Sequence, residues 1–544
     1  MDFGLHVFLL FSVVYAITLA FHFTYLTLHE KNEKGRGQSS HGHELVAGTP
    51  INKYLRHSHR TWAHPGGNGS GLARIQWEDD AHAELKCAGG DGSEQELVYW
   101  HKPTPQDDNW TSPWQGSEPP KYVTFESDNG GWNNVRMALE SVLVFARATG
   151  RTVVLPPDEN FYFPDPGVKP KDYFEHRNGY GDFFPFAEMR ARLGPAAMIS
   201  MEEFLARECY PGHLGAKPLL PEAEDPRQRP ALRGRALRDY LRALAEANTG
   251  GGSWFLPKFK EGGRLSFLAV PSAPGVQWRG GEREAAGVAE RLKTFAAGRE
   301  ELVLEGPWVS ARVVHFAAWP NKGYRMLMHS YCLFFFADQS LDRRMKRFVR
   351  DHIRYHDKIY CAAHRVLKLL RRDTAQHAGL PAGSRGTFSS FHVRHGDFQF
   401  KVVRQDAATI LANSRDLLLP GETVFVATDE PRSTRAAFFK PLAAEYQLKF
   451  LDDYAKEAGL KELLSSDNMY GMVDSIVAAQ GRVFVGTWFS TFSGYIIRLR
   501  GYLNTGRESF YYFPKKKYVM QSADPPSDPF YTREWPTAWE HIDG

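Results

Sequence analysis

A cluster of charged residues follows a strand-like run in the C-terminal half of the chain. In FHVRHGDFQF (391–400), the apolar lead-in ends at Arg394, His395, Gly396 and Asp397. Charge is costly to remove from water, so a buried strand usually ends in small turn residues instead. A guanidinium is a planar, charged fork that suits a diphosphate. The position predicts that Arg394 binds an anionic ligand at the carboxyl end of this strand.

Three further strand-like runs also end in polar or small residues. Asp429 follows TVFVAT, and Ser490, Thr491 and Phe492 follow RVFVGT. The run YVTFE is followed by Gly130, Gly131, Asn133 and Asn134. In open α/β sheets, ligands bind outside the carboxyl ends of the strands, often with helix N-termini aimed at phosphate. We therefore expect these residues to share one site.

This set of groups suits transfer from a nucleotide-activated donor. A departing nucleoside diphosphate gains negative charge, and hydrogen-bond donors already in place stabilise that state. We expect Arg394, Ser490, Thr491 and the N–H groups that open the last helix to hold the diphosphate. Asp397 and Asp429 are each compatible with binding a base or ribose, and also with capping a helix.

Structural interpretations of the same residues remain open. Arg394 is compatible with an internal salt bridge to Asp397, and His392 with a core histidine bonded to backbone. The GGWNN stretch is compatible with a tight turn that needs positive φ. The shared location at strand ends is what favours function.

The order of predicted elements favours two doubly wound α/β domains. YVTFE, VRMALESVLVFARAT (stopped by Gly150) and TVVLPP read as a strand–helix–strand unit. Residues 340–372 are expected to be one long amphipathic helical stretch. Beyond Pro381, the strands TFSSFHV, TVFVAT, LKFLDD and RVFVGT alternate with helices at 406–418, 431–439, 468–480 and in TFSGYIIRLRGYL. The predicted domains span 119–380, with an insertion at about 212–299, and 381–535.

The N-terminus predicts a membrane anchor within residues 1–29. From Phe3 to His29 there is no Asp, Glu, Lys or Arg, so the run can cross a ~30 Å hydrocarbon core. Residues 30–118 are rich in Gly, Pro, Ser, His and charge, which predicts a stem of low order. Its sequons at Asn68 and Asn109 favour a lumenal catalytic region, although the basic residues just after the run favour the opposite orientation. We expect a single-pass protein of the Golgi or endoplasmic reticulum membrane.

Composition and absent motifs exclude several classes. The net charge of +4 argues against a nucleic-acid binder. The four cysteines include no CxxC pair, which argues against structural zinc, and their even number suits one or two disulfides of undetermined pairing. Cys332, within YCLFFF, is compatible with a buried thiol. The strand ends carry no DxD triplet, and GxSxG, HExxH and GxxxxGK[ST] are absent, which disfavours metal-bridged donor sites, hydrolases and nucleotide hydrolysis.

Four long motifs resemble the GDP-fucose protein O-fucosyltransferase family, in particular its GGWNN-type branch of plants, fungi and algae. They are GGWNNVRMALESVLVFARATGRTVVLPP, FHVRHGDFQFK, VFVATDE and VFVGTWFSTFSGYIIRLRGY. The resemblance implies a GT-B fold, with two Rossmann-like domains facing a cleft, and a GDP-fucose donor bound mainly by the C-terminal domain. It also implies inversion at the anomeric carbon, no required metal or other cofactor, a protein or glycan acceptor, and a secretory-pathway location.

Carried onto this chain, the resemblance assigns catalytic roles to Arg394 and Asn133. It assigns donor binding to His392, Asp397, Asp429, Ser490, Thr491, Phe492, Gly130, Gly131 and Asn134. Three departures stand out: His395 replaces a frequent second arginine, Val135 replaces a polar residue, and no Glu stands where some relatives place a base. A mechanism led by leaving-group departure is therefore preferred. The alternatives are a related transferase using UDP-rhamnose or another nucleotide sugar, and a non-catalytic lectin-like or scaffold protein of the same fold.

Overall fold

The computed structural model describes residues 84–115, 119–128, 130–157, 161, 179–194, 196–215, 234–248, 252–259, 266–272, 281–296, 300–318, 334–396, 398, 400–513, 516–520, 539 and 541–543. The predicted anchor (1–29), Asn68, Cys332 and Asp397 lie outside these residues. Among the helices of the described ranges, none is both long enough and apolar enough to cross a bilayer.

The strands and longer helices alternate along most of the described chain. The strands are β1 (Tyr122–Phe125), β2 (Thr152–Leu155), β3 (Met198–Ser200), β4 (Trp254–Phe255), β5 (Ser266–Val270), β6 (Glu300–Val303), β7 (Val313–Phe316), β8 (Phe334–Phe336), β9 (Ser389–Val393), β10 (Thr423–Thr428), β11 (Gln447–Lys449), β12 (Phe484–Thr487), β13 (Ser509–Phe513) and β14 (Lys516–Met520). The longer helices are α1 (Trp132–Thr149), α2 (Phe186–Leu193), α3 (Gly234–Asn248), α4 (Gly281–Ala296), α5 (Gln339–His352), α6 (Asp357–His377), α7 (Ala407–Ser414), α8 (Arg432–Phe438), α9 (Tyr470–Ala479) and α10 (Thr491–Tyr502).

Parallel sheets form the framework, as the sequence predicted. One sheet has the strand order β3-β2-β1-β7-β4, and a second has the order β11-β10-β9-β12-β13-β14. All their pairings are parallel except β13 with β14. The central strands β1 and β9 are fully buried, and the β-branched and aromatic residues of β1 (YVTF) fit that burial. Because neighbouring strands run the same way, their carboxyl ends meet at one edge of each sheet.

Helices fill the space beside both sheets. α1 packs on β1 and β2, α9 packs on β9 and β10, and α10 contacts both α1 and α9. One apolar core therefore includes Val142 of α1, Leu367 of α6, Val477 of α9 and Ile496 of α10, all fully buried. Residues of both sheets thus share a hydrophobic core through these helices.

Most predicted elements are confirmed, and several boundaries differ for local reasons. α1 begins at Trp132, three residues earlier than predicted, and it ends as predicted at Gly150, whose φ of 67° is the left-handed helix stop. The predicted strand LKFLDD is strand only to Lys449. There the Asp453 carboxylate accepts the Phe450 N–H at 2.8 Å, which starts a single helical turn over Leu451–Tyr454.

The long helical stretch predicted for residues 340–372 is helical, and it consists of two helices, α5 and α6. They are separated at Ile353–His356, where the His356 N–H donates to the Phe183 carbonyl at 2.9 Å instead of to a helical carbonyl. The sequence also did not predict the small sheet β6-β5-β8 or the strands β13 and β14. Within the predicted insertion, β4 pairs with β7 and so extends the first sheet.

The low-order stem predicted for residues 30–118 is wrong for residues 84–115. Leu85, Leu97, Tyr99 and Trp100 in this segment are each at most 5% exposed. The Tyr99 hydroxyl lies 2.6 Å from that of Tyr360 in α6. Aromatic burial against α6 orders this segment although it lacks helical or strand periodicity.

A disulfide joins this segment to α6. Cys87 bonds to Cys361, 274 residues further along the chain. Cys209 is a free cysteine of the described chain and is buried, which raises its pKa to about 12. The pairing that the sequence left open is therefore Cys87 with Cys361.

We expect Cys361→Ser to lower the free energy of unfolding by about 2–4 kcal/mol, because a covalent link across a long loop restricts the unfolded chain. Denaturant unfolding with and without reductant measures this loss. Reductant should bring the wild type down to the variant and leave the variant unchanged. Cys209→Ala is the matched control, and its unfolding should keep the wild-type response to reductant. Equal wild-type stability in both conditions would contradict the role of the bond.

Candidate functional site

Arg394 lies just beyond the carboxyl end of β9, and a carboxylate at the end of β10 orients it. Arg394 Nη1 donates to Asp429 Oδ2 at 2.5 Å, and Asp429 Oδ1 accepts the His395 N–H at 2.7 Å. The side chains of Arg394 and Asp429 keep 16% and 11% of their surface exposed. A Cβ at Gly396 would lie 2.6 Å from Asp429 Oδ2, so a larger residue there would displace the carboxylate from these two hydrogen bonds. Asp429 therefore shapes the loop and aims the guanidinium.

The Thr487 hydroxyl ties this loop to two neighbouring strands. It donates to the His392 carbonyl at 2.9 Å and accepts the Arg394 N–H at 2.8 Å. The Tyr512 hydroxyl of β13 lies 2.6 Å away. Since the Thr487 proton is used on the His392 carbonyl, Tyr512 is the donor of that last bond. The backbone of Arg394 is thus fixed by β12 and β13.

His392 is a buried, neutral histidine of the core. Its Nδ1 lies 2.7 Å from the Ser493 hydroxyl, and the Phe492 ring is 4.5 Å from the imidazole, centre to centre. Burial and the charge of Arg394 lower the pKa of His392 to about 3. His392 is therefore buried, as the interpretation of a core histidine expected, but its hydrogen-bond partner is the Ser493 side chain and not the backbone. Phe492 covers the ring.

The start of α10 has an unusual backbone. Phe489 has φ of 67°, a left-handed conformation that costs on the order of 1–3 kcal/mol for a non-glycine residue. Ser490 follows as the residue that precedes the helix, and its side chain makes no capping hydrogen bond. Strain of this kind persists where surrounding contacts enforce it, here the packing of Phe489 against Phe400 at 5.1 Å. The first N–H groups of α10 therefore have no side-chain cap.

The Gly-rich stretch meets α10 directly. The Gly130 N–H donates to Asp128 Oδ1 at 2.7 Å, and a Cβ at Gly130 would lie 2.2 Å from Asn134 Nδ2. Thr491 Oγ1 donates to Asn134 Oδ1 at 2.9 Å. Gly131, which precedes α1, likewise lacks a side-chain cap. Glycine suits position 130 because the Asn134 side chain approaches the backbone there closely, and not because the backbone has a positive φ.

Two long helices therefore begin at the same point. Asn134 lies in the first turn of α1 and Thr491 is the first residue of α10, so their hydrogen bond joins the two N-termini. Each helix N-terminus carries about half a positive charge and outward N–H groups. Together with the guanidinium of Arg394, which belongs to the adjoining β9–β12 edge, they make this place suited to a polyanion.

Asn133 lies deeper than the other Gly-rich residues. It is 9% exposed, and its Oδ1 accepts from Arg136 Nε at 3.3 Å.

The carboxylate at the end of β1, Glu126, is bound by Arg242 and lies 3.3 Å from His315. Burial alone would raise the pKa of Glu126, but hydrogen bonds from His315 and Arg242 lower it to about 2. Glu126 is therefore an ion-paired structural group and not a base.

Asp474 in α9 is a candidate residue that the sequence analysis missed. Its Oδ1 is shielded from water and has no hydrogen-bond partner among the described residues. Burial, together with the negative charge of Asp452, raises the pKa of Asp474 well above its usual range. One turn earlier, a Cβ at Gly471 would lie 3.7 Å from the Phe492 ring, which places this face of α9 beside the start of α10. The sequence signal that could have identified Asp474 is that it is a single carboxylate in the otherwise mostly apolar helix YGMVDSIVAA.

Within the described ranges, one group of side chains has metal-ligand spacing. Asp91, Glu94 and His364 have ligand atoms within 4.8 Å of one another. Asp91 is already paired with Lys368 at 2.7 Å, and none of these residues is at a strand end of the site. The cluster therefore contributes nothing to the candidate site.

The chain matches the family model described as GDP-fucose protein O-fucosyltransferase over residues 122–503. No curated protein matches it. Among solved structures it is similar to POFUT1 in complex with GDP (14% identity, 73% of this chain and 99% of that chain, TM-score 0.33). It is also similar to NodZ α-1,6-fucosyltransferase soaked with GDP-fucose (14%, 74% and 99%, TM-score 0.32) and to fucosyltransferase NodZ from Bradyrhizobium (13%, 74% and 99%, TM-score 0.32).

The family match includes each strand end that carries a candidate residue, from the Gly-rich turn after β1 to the start of α10. The narrower branch suggested by GGWNN stays a prediction. The chain therefore belongs to the GDP-fucose protein O-fucosyltransferase family and is a glycosyltransferase.

Proposed function

We propose that the protein transfers fucose from GDP-fucose to a hydroxyl of a protein or glycan acceptor, with inversion and without a required metal. The observation that carries this proposal lies within the family match: Thr491 and Asn134 join the starts of α10 and α1, and the Arg394 backbone is bonded to Thr487, four residues before α10 begins. We infer a GT-B arrangement, in which the donor lies on the C-terminal sheet and the acceptor approaches from the Gly-rich turn.

In this mechanism the bond between fucose C1 and the β-phosphate oxygen breaks as the acceptor oxygen attacks from the opposite face. The acceptor hydroxyl loses its proton to solvent as the new bond to C1 forms. The electron pair of that bond goes to the diphosphate, and Arg394 with the two helix starts stabilises the added charge. Arg394 is fixed beforehand by Asp429 and Thr487, and the two helix starts are joined by Thr491 and Asn134, so these groups do not have to reorganise when charge develops. We assign Asn133, in the Gly-rich turn, to the sugar. In this mechanism the site mainly stabilises the negative charge that develops on the leaving diphosphate.

Asp474 gives a physical reason for a guanine base. Guanine presents an N1–H and an exocyclic amino group side by side, and one carboxylate can accept from both. A shielded oxygen without a hydrogen-bond partner, such as Asp474 Oδ1, costs free energy. Hydrogen bonds from the edge of a guanine base would remove that cost. Uracil and adenine do not offer the same pair of donors. We therefore assign base selection to Asp474.

We expect GDP to raise the melting temperature of the wild-type protein more than UDP or ADP does. A ligand at 100 times its Kd stabilises by about 2.7 kcal/mol, so a differential scanning measurement resolves the preference. Asp474→Asn should reduce the GDP shift to that of UDP, because the amide cannot accept from both donors as a carboxylate does.

The matched control is Asp467→Asn, an exposed carboxylate seven residues earlier, which should keep the GDP preference. A larger shift with UDP would favour a transferase for another sugar, such as rhamnose. No shift with any nucleotide would favour the non-catalytic scaffold and refute the proposal.

Arg394→Lys should lower turnover about 10²–10³-fold, because lysine keeps the charge but not the planar fork. Release of GDP from GDP-fucose, measured without acceptor, follows this loss before the acceptor is identified. The melting temperature should change little, since Asp429 can still pair with the ammonium group. Arg415→Lys, at an exposed Arg415–Glu445 pair, is the control with unchanged turnover. Wild-type turnover in Arg394→Lys would remove the assigned role.

We further propose that the chain is a single-pass protein of the Golgi or endoplasmic reticulum membrane with its catalytic region in the lumen. The Cys87–Cys361 disulfide supports this, because such bonds persist in oxidising compartments. Asn109 also supports it: this sequon asparagine is exposed beside a single helical turn, Pro105–Asp108.

A glycan at Asn109 tests the orientation. In cells that glycosylate secretory proteins, endoglycosidase should increase the electrophoretic mobility of the full chain. Asn68→Gln and Asn109→Gln together should abolish that change, and each single variant shows which sequon is used. Mobility of the wild type that endoglycosidase leaves unaltered would count against the lumenal orientation.

A further inference from the structure

α1 and α10 lie side by side and run in the same direction. They are joined at their starts by Thr491 and Asn134, and again six to seven residues later by Arg498 and Glu140. At 1.5 Å per residue, the two contacts are about 10 Å apart along each helix. The two helices are therefore held side by side, with their N-termini close together.

The second contact is a buried ionic network. Glu140 uses one carboxylate oxygen on each of two arginines: Oε1 accepts from Arg136 Nη1 of its own helix, and Oε2 accepts from Arg498 Nη1 of α10 at 2.7 Å. The three side chains are 1–6% exposed. The guanidinium of Arg136 also lies 3.7 Å from the centre of the Tyr495 ring. Thr491, Tyr495 and Arg498 thus present one face of α10 to α1.

Parallel neighbouring helices place like ends of their dipoles together. Two positive N-termini repel each other, and the site needs them at the same point to receive an anion. A bond deeper in the helix pair can offset this repulsion without occupying the site itself. The Glu140–Arg498 bond has that position, because it lies about 10 Å from the two helix starts. Removing either partner of such a buried pair is strongly destabilising for the geometry it holds.

We propose that Glu140 and Arg498 are positioning residues for the donor diphosphate, which hold the N–H groups at the start of α1 in register with those at the start of α10. This inference rests on the proposed donor. Neither side chain is required to touch the ligand. Their effect is on the diphosphate alone, since the nucleoside is bound elsewhere, beside α9.

The experiment compares GDP with guanosine by calorimetry on the full chain. Arg498→Met cuts the link between the helices but leaves Arg136 and Glu140 as a balanced pair, so the fold is retained. GDP affinity should fall about tenfold while guanosine affinity is unchanged, and turnover of GDP-fucose should fall with it. Glu140→Gln should act in the same direction and more strongly. Should Arg498→Met fail to fold, Arg498→Lys replaces it, with a smaller fall in the affinity ratio, because the ammonium group keeps the charge but not the planar geometry of the bond to Glu140.

The control is Asp351→Asn, which breaks a comparably buried ion pair with Arg350, at 2.6 Å, beside a cavity that Arg147 in the last turn of α1 also lines. It should lower stability and leave the ratio of GDP to guanosine affinity as in the wild type. An unchanged ratio in Arg498→Met, with GDP bound by the wild type, overturns this inference alone. A wild type that does not bind GDP overturns the proposed donor and this inference together.

Discussion

Three hydrogen bonds at the Thr487 hydroxyl hold the carboxyl ends of neighbouring strands in one place. The hydroxyl receives the N–H of Arg394 and a proton from Tyr512, and it gives its own proton to the carbonyl of His392. A buried hydroxyl with three satisfied bonds leaves little freedom to the backbone around it. The backbone position of Arg394, from which Asp429 aims the guanidinium, depends on this arrangement.

The parts of this structure that local patterns dictate were predictable from the sequence. TVFVAT and RVFVGT are short apolar runs that only a buried parallel sheet accommodates, and Arg394 at such a strand end was recognisable as unusual. Its partner was not, because Asp429 is 35 residues away and the competing candidate, Asp397, was nearer in sequence. The same limit applies to Asp474, whose environment depends on the packing of α9 beside α10, and to Trp100, whose burial depends on α6.

The site unites groups from both halves of the chain. Asn134 and Glu140 belong to the first strand–helix unit, whereas Thr491 and Arg498 belong to the last helix of the second sheet. Because these contacts are buried and directional, a small shift of α1 would be transmitted to the donor side without any change in the strands. Precision at the diphosphate therefore has its origin in helix packing as much as in the loops that face the ligand.

The link between Cys87 and Cys361 has a consequence for the timing of synthesis. Cys361 lies 274 residues after Cys87, and β1 to β8 are made in between. At roughly 5–20 residues per second, the ribosome needs about 14–55 s to add those residues. During this interval the earlier cysteine is a reactive thiol on an incomplete chain. All strands of the first sheet are therefore synthesised before covalent closure is possible, whereas the second sheet, β9 to β14, is made only after Cys361.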